Sequence, residues 1–299
     1  MKILYLEPYY SGSHKQWINN YKKFSKNKIT ILGLKGSKWK WRMHGGAVTL
    51  ANKFLALNKV FDLIICSDML NLPVFKSLCI KKLNKSKIVT YFHENQLSYP
   101  WSPNDPDITK KRDLHYAFIN YSTSLVADHN FFNSYYHRDS YISALKKYLN
   151  KMPDLKNKNT INEINNKSSV LHVGCNLNNN INQKNMPNDI PVILWNHRWE
   201  YDKNPELFFN ILFELNDKNI DFRLVVLGER YDNYPKIFDI AQKKLKNKLI
   251  YTDYCSSYDE YCHWLSKSDI LPVTSIQDFF GISIIEAVSL GVFPILPNR

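Results

Sequence analysis

Short apolar runs at residues 2–6, 29–34, 63–67, 87–92, 125–130 and 170–173 alternate with longer amphipathic stretches such as 15–26 and 73–83. The short runs have few polar positions and predict strands covered on both faces; the longer stretches have helical spacing. This alternation predicts a parallel, doubly wound sheet, in which ligands bind beyond the carboxyl ends of the strands. Residues 152–167 are rich in Lys and Asn and predict surface, and the patternless Asn-rich stretch 176–188 predicts an interdomain linker. A second α/β unit follows, with strands at 192–195, 222–227, 248–252, 269–273 and 292–296. Pro205 opens a helix to Leu215. Another helix runs from Gly281 to Leu290, where Gly291 stops it. Two Rossmann-like domains are expected, at 1–180 and 181–299.

Length agrees, since 299 residues suffice for about two domains. No apolar run reaches the ~20 residues of a bilayer span. The first strand is interrupted by Glu7 and is too short for a signal-peptide core, so a cytoplasmic protein is expected. Cys66, Cys79, Cys175, Cys255 and Cys262 lack metal or redox spacing and are expected to be reduced and buried. The net charge of +13 fits a polyanionic partner, but a sequence biased toward Lys and Asn explains it more simply.

The most informative stretch is Asp278-Phe279-Phe280-Gly281-Ile282-Ser283-Ile284-Ile285-Glu286-Ala287. Gly281 allows a ligand close to the backbone, and free N–H groups at a helix start attract phosphates and polarised hydroxyls. Ile282 and Ser283 share a face with Glu286, whereas Ile284, Ile285 and Val288 are left to pack on the sheet. Asp278 and Glu286 bracket an amide-lined pocket suited to a ligand with diols and phosphates; the alternative is an ordinary strand–loop–helix.

Other stretches also follow strands. Ser11-Gly12-Ser13-His14 is either an anion-cradling turn or a tight turn with Ser13 as helix N-cap. Trp39-Lys40-Trp41-Arg42, before Gly45-Gly46, offers aromatic faces and cations for base stacking and phosphate pairing, or forms a half-buried anchor. His93, in Phe92-His93-Glu94-Asn95-Gln96, either bonds a sugar hydroxyl or is structural; no second histidine stands at zinc-ligand spacing. A loop with three prolines follows at 97–107. Asn133 and Ser134 face a ligand or cap a helix. Arg198 and Lys203 flank the turn after residue 195, where both can reach a diphosphate or lie in a solvated loop. Gly228 closes the strand ending at Leu227.

The acid–Phe-Phe-Gly–apolar–Glu-Ala pattern resembles the E-x7-E motif of retaining GT-B glycosyltransferases of family 4, with Asp278 where that family has Glu. Glu7-Pro-Tyr-Tyr-Ser-Gly-Ser-His-Lys15, Lys38-Trp-Lys-Trp-Arg42, Tyr91-Phe-His-Glu-Asn-Gln96, Phe132-Asn-Ser134, Asn196-His-Arg-Trp-Glu-Tyr-Asp-Lys203 and Leu227-Gly-Glu229 extend the likeness over almost the whole chain. Together they resemble the tRNA-queuosine α-mannosyltransferases, a branch of that family. Ser11 and Lys40 stand where the branch has Gly and His, and the resemblance implies a chain cut short at its C-terminal end.

The resemblance implies a GT-B fold, with an acceptor-side first domain and a nucleotide-sugar-binding second domain facing a cleft. It implies retaining transfer of mannose from GDP-mannose to queuosine at the wobble position of a tRNA, that for aspartate expected. No metal or resident cofactor is implied. Asp278 and His93 would meet the sugar, Arg198 and Lys203 the leaving diphosphate, and Glu286 the ribose. Gly12, Ser13, Gly281, Ile282, Ser283 and Gly228 would complete the donor site, and Trp39, Trp41 and Arg42 would take the acceptor. Two other functions stay open: a family 4 transferase acting on a lipid or envelope polysaccharide, and a non-catalytic tRNA- or nucleotide-binding module.

Overall fold

The computed structural model describes every residue except 84, 85, 104, 111, 113, 176, 178–186, 231, 232 and 299. The chain divides into two compact units, Met1–Gly174 and Cys175–Arg299. The stretch expected to be a linker lies largely outside the described residues.

The first unit runs β1 (Lys2–Tyr10), α1 (Gly12–Phe24), β2 (Lys28–Lys35), α2 (Trp39–Ala56), β3 (Leu63–Ser67), α3 (Leu72–Leu83), β4 (Lys87–Phe92), α4 (Pro106–Thr109), α5 (Leu114–Val126), β5 (His129–Phe132), α6 (Tyr135–Asn150), α7 (Asn159–Asn166) and β6 (Ser168–Val170). Its strands are parallel, in the order β2-β1-β3-β4-β5-β6. The strand order reverses between β1 and β3, which is where open sheets of this kind form a ligand crevice. Alternate residues serve opposite layers. Leu4, Leu6, Ile64, Cys66 and Ile88 pack with Leu50 and Phe54 of α2 and Phe75 and Cys79 of α3. Ile3, Tyr5, Ile65 and Tyr91 pack with Trp17, Ile18 and Tyr21 of α1. Both faces are therefore covered, which is why these strands read as unbroken apolar runs.

The second unit runs β7 (Val192–Trp195), a single 3-10 turn (Tyr201–Lys203), α8 (Pro205–Asp217), β8 (Arg223–Leu227), α9 (Ile237–Lys244), β9 (Leu249–Asp253), α10 (Tyr258–Lys267), β10 (Ile270–Pro272), α11 (Ile282–Ser289) and β11 (Phe293–Ile295). Its parallel order is β11-β10-β7-β8-β9, reversing between β7 and β10. Ile193, Trp195, Leu224 and Val226 pack against Phe208, Phe209 and Leu212 of α8 and Phe238 of α9. Val192, Leu194, Val225 and Leu271 pack against Cys262 and Leu265 of α10 and Ala287 and Leu290.

Several local expectations give way. Leu125 and Val126 finish α5 instead of opening a strand, because a short apolar run suits the last turn of a buried helix equally well. The strand expected at 170–173 ends at Val170. The polar stretch 152–167 lies at the surface as expected, though it contains α7, whose Ile164 is fully buried. Pro106 opens a short helix inside the expected proline loop. Val288 is 46 % exposed, and Ala287 and Leu290 take the buried positions assigned to it and Ile285. Four cysteines are buried as expected, but Cys175 is only half-buried.

Candidate active site

The second unit gathers its polar side chains where β7 and β10 end. Asn204 adopts a left-handed conformation (φ 52°) between the 3-10 turn and Pro205, a geometry asparagine tolerates better than most residues. The turn is bolted to the loop after β10. Thr274 Oγ1 donates to the Lys203 carbonyl at 2.9 Å, and the Ile276 N–H donates to the Asp202 carbonyl at 2.7 Å. This brings Lys203 to Asp278: Nζ lies 2.6 Å from Asp278 Oδ1 and 3.1 Å from Asp202 Oδ2. Burial works against ionisation of Asp278, but the Lys203 ammonium outweighs it and holds the carboxyl below its usual range. Arg198, by contrast, is exposed, with NH2 3.3 Å from Glu200.

Gly281 sits at φ 78° as the N-cap of α11, a left-handed position where glycine is unstrained. The N–H groups at the start of this helix have no intrahelical carbonyl to bond, so Gly281, Ile282 and Ser283 present donors to an anion. Ser283 Oγ lies 3.1 Å from His197 Nδ1, and Asn196 Nδ2 donates to the Ser283 carbonyl at 2.7 Å. Glu286 is held from a neighbouring helix: Tyr261 OH donates to Oε2 at 3.1 Å and Tyr258 OH to Oε1 at 3.4 Å. Burial raises the Glu286 pKa against the pull of those two phenols. A carboxylate has about four lone-pair directions, so two remain for a vicinal diol. Gly228 has a packing role: a Cβ there would fall 2.0 Å from the His197 carbonyl oxygen. Its glycine lets the 196–198 loop lie on the end of β8.

In the first unit the crevice between β1 and β3 holds a buried network. Glu7 is fully buried and takes four donors: the Tyr9 N–H (2.9 Å) and Ser67 Oγ (2.9 Å) on Oε1, and Tyr5 OH (3.3 Å) and His14 Nδ1 (3.1 Å) on Oε2. His14 lies against His93, with ring centroids 4.1 Å apart and ring planes tilted by 32°. Burial opposes ionisation of His14, but Glu7 prevails and pushes it up to about 9. Burial, then the His14 charge, hold His93 well below the usual histidine value. Asp68, fully buried, accepts the His93 N–H at 2.8 Å. Burial pushes its carboxyl up to about 8. The rest of the His93–Gln96 backbone is fixed by Asn133 Nδ2 on the His93 carbonyl and Asn120 Oδ1 on the Gln96 N–H. Asn133 is thus a strut, and Ser134 is the N-cap of α6. Gly12 (φ 49°) and Ser13 are exposed at the start of α1, whose N-cap is Ser11 and not Ser13.

Glu7, His14 and His93 each place one ligand atom within 4.8 Å of the others. The zinc argument from spacing missed this approach, because the fold brings His14 to His93 from another strand end. All four Glu7 acceptor directions are engaged by protein donors.

The His14 shift has a consequence for stability. A histidine whose folded pKa lies above its unfolded value stabilises the fold fully below the unfolded value, here 6.5, and ceases to do so as pH rises through about 9. The difference is on the order of 3 kcal/mol. The loss of thermal stability between pH 6.5 and 9 should therefore be smaller in His14→Gln than in the unmodified protein. Parallel melting curves across that range would sink this account.

The aromatic stretch 39–46 is the start of α2. Residues two apart on a helix point to different sides. Trp39 accordingly turns inward against Tyr116 and Trp101, at 5.0 and 6.1 Å. Trp41 turns outward, 64 % exposed, with its ring over Gly45. Lys40 is tied to Asp105 and Asp107, and Arg42 donates to the Lys35 carbonyl at 3.2 Å. Of the three expected acceptor residues, Trp41 is the open aromatic face and Trp39 is an anchor.

Sequence reasoning missed Tyr258 and Tyr261, whose i, i+3 spacing is unremarkable in a chain with 19 tyrosines. It also missed Glu7, His14 and Asp68 as groups acting on His93. The interruption of an apolar strand by Glu7 was the available signal, since an acid there requires several internal donors.

Comparison with known proteins gives this arrangement a lineage. Residues 2–175 match the family model described as tRNA-queuosine alpha-mannosyltransferase N-terminal, and residues 177–299 match glycosyl transferases group 1. The tRNA-queuosine alpha-mannosyltransferase of Drosophila melanogaster is 33% identical over 307 aligned positions, covering 99% of this chain and 79% of that protein. Among solved structures, sucrose-phosphate synthase from Thermosynechococcus elongatus aligns with a TM-score of 0.67 at 12% identity, covering 98% of this chain and 80% of its own. The apo lipopolysaccharide outer core galactosyltransferase WaaB aligns at 0.62 and 14%, with the same coverages. These structural likenesses establish the fold, two parallel-sheet α/β domains of the GT-B class. With the fold, the family model across the first unit and the Drosophila relative in agreement, this chain belongs to the tRNA-queuosine alpha-mannosyltransferase family of glycosyltransferases.

Proposed function

We propose that this glycosyltransferase moves mannose from GDP-mannose to queuosine at the wobble position of a tRNA, with retention of anomeric configuration, in the cytoplasm. The carrying observation is the match of residues 2–175 to the queuosine-specific N-terminal model, because the group 1 match of residues 177–299 is shared by transferases of many acceptors. Glu286, held by two phenols, takes the ribose diol. The α11 N-terminus and Arg198 meet the diphosphate and stabilise the charge that grows on it as it leaves. Lys203 sets the place and charge of Asp278, which accepts from a sugar hydroxyl. In the first unit, His93 is the residue we assign to a substrate hydroxyl. No side chain of the second unit's cluster is needed as a nucleophile: the queuosine hydroxyl attacks on the face the diphosphate leaves, and its proton passes to the departing phosphate oxygen.

The excess of 40 Lys and Arg over 27 Asp and Glu favours a large polyanion, and Trp41 offers an open face on which an unstacked anticodon-loop base can lie. The tRNA for aspartate is the acceptor we favour. Among the described residues no helix is long and apolar enough to cross a membrane.

The test of the donor is consumption of nucleotide sugars by the protein with queuosine-containing tRNA. GDP-mannose should be consumed in preference to GDP-fucose, UDP-glucose and UDP-galactose, and the product should yield to α- and not β-mannosidase. Preference for a UDP-sugar, or a β-linked product, would overturn the assignment.

A further inference from the structure

The hydrogen bonds around His93 determine where its proton sits. Tyr5 OH lies 3.3 Å from Glu7 Oε2 and 3.2 Å from His93 Nε2. The phenol has one proton to place. Burial, reinforced by Glu7, raises the Tyr5 pKa, so the phenol stays protonated. The Glu7 carboxylate can only accept, and a buried approach of two oxygens with no proton between them is repulsive. The phenol proton therefore points to Glu7, whose oxygens already gather the Tyr9 N–H, Ser67 and His14. The phenol oxygen is then left as an acceptor toward His93, and the proton on that contact must come from Nε2. A neutral imidazole with hydrogen on Nε2 carries a lone pair on Nδ1.

The second nitrogen is open. His93 Nδ1 has no hydrogen-bond partner among the described residues and is not among the buried unsatisfied atoms. The ring itself is half-buried. Its two edges differ in purpose: one is locked into the Tyr5–Glu7 chain and the other can meet a ligand. The ring's surroundings decide against a second proton. His14 lies against it at 4.1 Å and carries a proton held by Glu7. Trp17 and Tyr91 press on it edge-on at 5.3 and 4.9 Å. Asp68 takes the backbone N–H, not the ring. Glu94, His137 and Cys66 also act electrostatically on this cluster.

Resting on the function proposed above, we propose that Tyr5, Glu7 and His14 are positioning residues that keep His93 neutral with its proton on Nε2, so that Nδ1 serves as an acceptor for a substrate hydroxyl. An imidazolium at this point would offer a donor in place of an acceptor and would oppose the positive charge that develops on the sugar ring during transfer. The lock keeps the acceptor form available across the neutral range without any change of protonation in turnover.

The test uses the full chain labelled with ¹⁵N-histidine. Long-range ¹H–¹⁵N spectra distinguish the two neutral tautomers from the imidazolium, and loss of one imidazole in His93→Gln assigns the signal. At pH 7 His93 should show a protonated Nε2 and an unprotonated Nδ1. Tyr5→Phe removes the acceptor from Nε2, so the nitrogen shifts should move toward a mixture of tautomers. His14→Gln removes the adjacent charge, so His93 should take up its second proton at higher pH than in the unmodified protein. With GDP-mannose and queuosine-containing tRNA, Tyr5→Phe should lower kcat by roughly three- to tenfold with little change in donor KM, the effect of about one hydrogen bond. A wild-type His93 bearing hydrogen on Nδ1 or charged at pH 7, nitrogen shifts unmoved in Tyr5→Phe, or full turnover by Tyr5→Phe would each overturn the proposal. The spectra need no tRNA, so absence of transfer in the unmodified protein would refute the acceptor assignment while the nitrogen shifts still decide the lock.

Discussion

Lys203→Ala should unfold the second unit at a markedly lower temperature, whereas Arg198→Ala should melt almost as the unmodified protein does. Lys203 is 8 % exposed and is the cation paired with both Asp202, which is fully buried, and Asp278, which is largely buried. Removing one partner of a buried ion pair leaves uncompensated charge and costs about 3–5 kcal/mol. For a unit of this size that corresponds to a fall on the order of 10 °C or more. Arg198 is exposed and its pairing with Glu200 is partly solvated, so its loss costs about 0–1 kcal/mol of stability. Both variants should lose transfer with every nucleoside diphosphate sugar, but for different reasons: Arg198→Ala through weaker diphosphate binding, Lys203→Ala through a displaced Asp278. Adding Asp278→Asn to Lys203→Ala should recover part of the lost stability without recovering activity. Equal melting temperatures for the two single variants would show that Lys203 is no more buried in solution than Arg198.

Glu286→Gln should separate binding from stability in the opposite sense. Burial already disfavours the ionised form of Glu286, so the neutral isostere should leave the melting temperature unchanged or slightly higher. One of Tyr258 and Tyr261 keeps an oxygen to donate to, and the other can turn its hydroxyl to accept from the amide nitrogen. Donor binding should nevertheless weaken, since a carboxylate accepts two diol protons and an amide offers one acceptor and one donor. Charge-assisted hydrogen bonds are worth about 1.5–3 kcal/mol, so donor KM should rise roughly ten- to hundredfold. Asp278→Asn should instead lower kcat more than it raises KM. Calorimetry with GDP, which lacks the sugar, distinguishes the two: it should bind Asp278→Asn nearly normally and Glu286→Gln poorly. Undiminished GDP affinity in Glu286→Gln would remove this residue from the ribose site.

These expectations show which parts of the site the chain discloses in one dimension. Glu286, Asp278, Gly281 and Ser283 lie within one strand–loop–helix, so their spacing alone places them around one helix start. β3, β4 and β7 were legible to the residue because their side chains are buried on both faces. β5 was not: His129 and Asn130 interrupt its apolar pattern, and the run just before them finishes a helix. Pairings across sequence distance were equally hidden. Lys203 meets Asp278 from 75 positions away, and nothing local to either residue says that the ammonium orders a carboxylate as well as attracting phosphate. The Trp39–Trp41 pair misled in a different way. Its aromatic and cationic character is plain in the sequence, but helical geometry divides it between the core and the solvent. His93 could be found from its place after β4, while Glu7 and His14 become visible only once β1 and β4 are known to share a sheet with β3 between them.

The most direct test of the account is mass spectrometry of nucleosides from tRNA incubated with the protein and GDP-mannose, comparing tRNA that carries queuosine with otherwise identical tRNA that carries guanosine at the wobble position. The account predicts that queuosine gains one hexose and that the guanosine-bearing tRNA gains none. Equal incorporation into both, or none into either alongside brisk transfer to a lipid or polysaccharide acceptor, would contradict it.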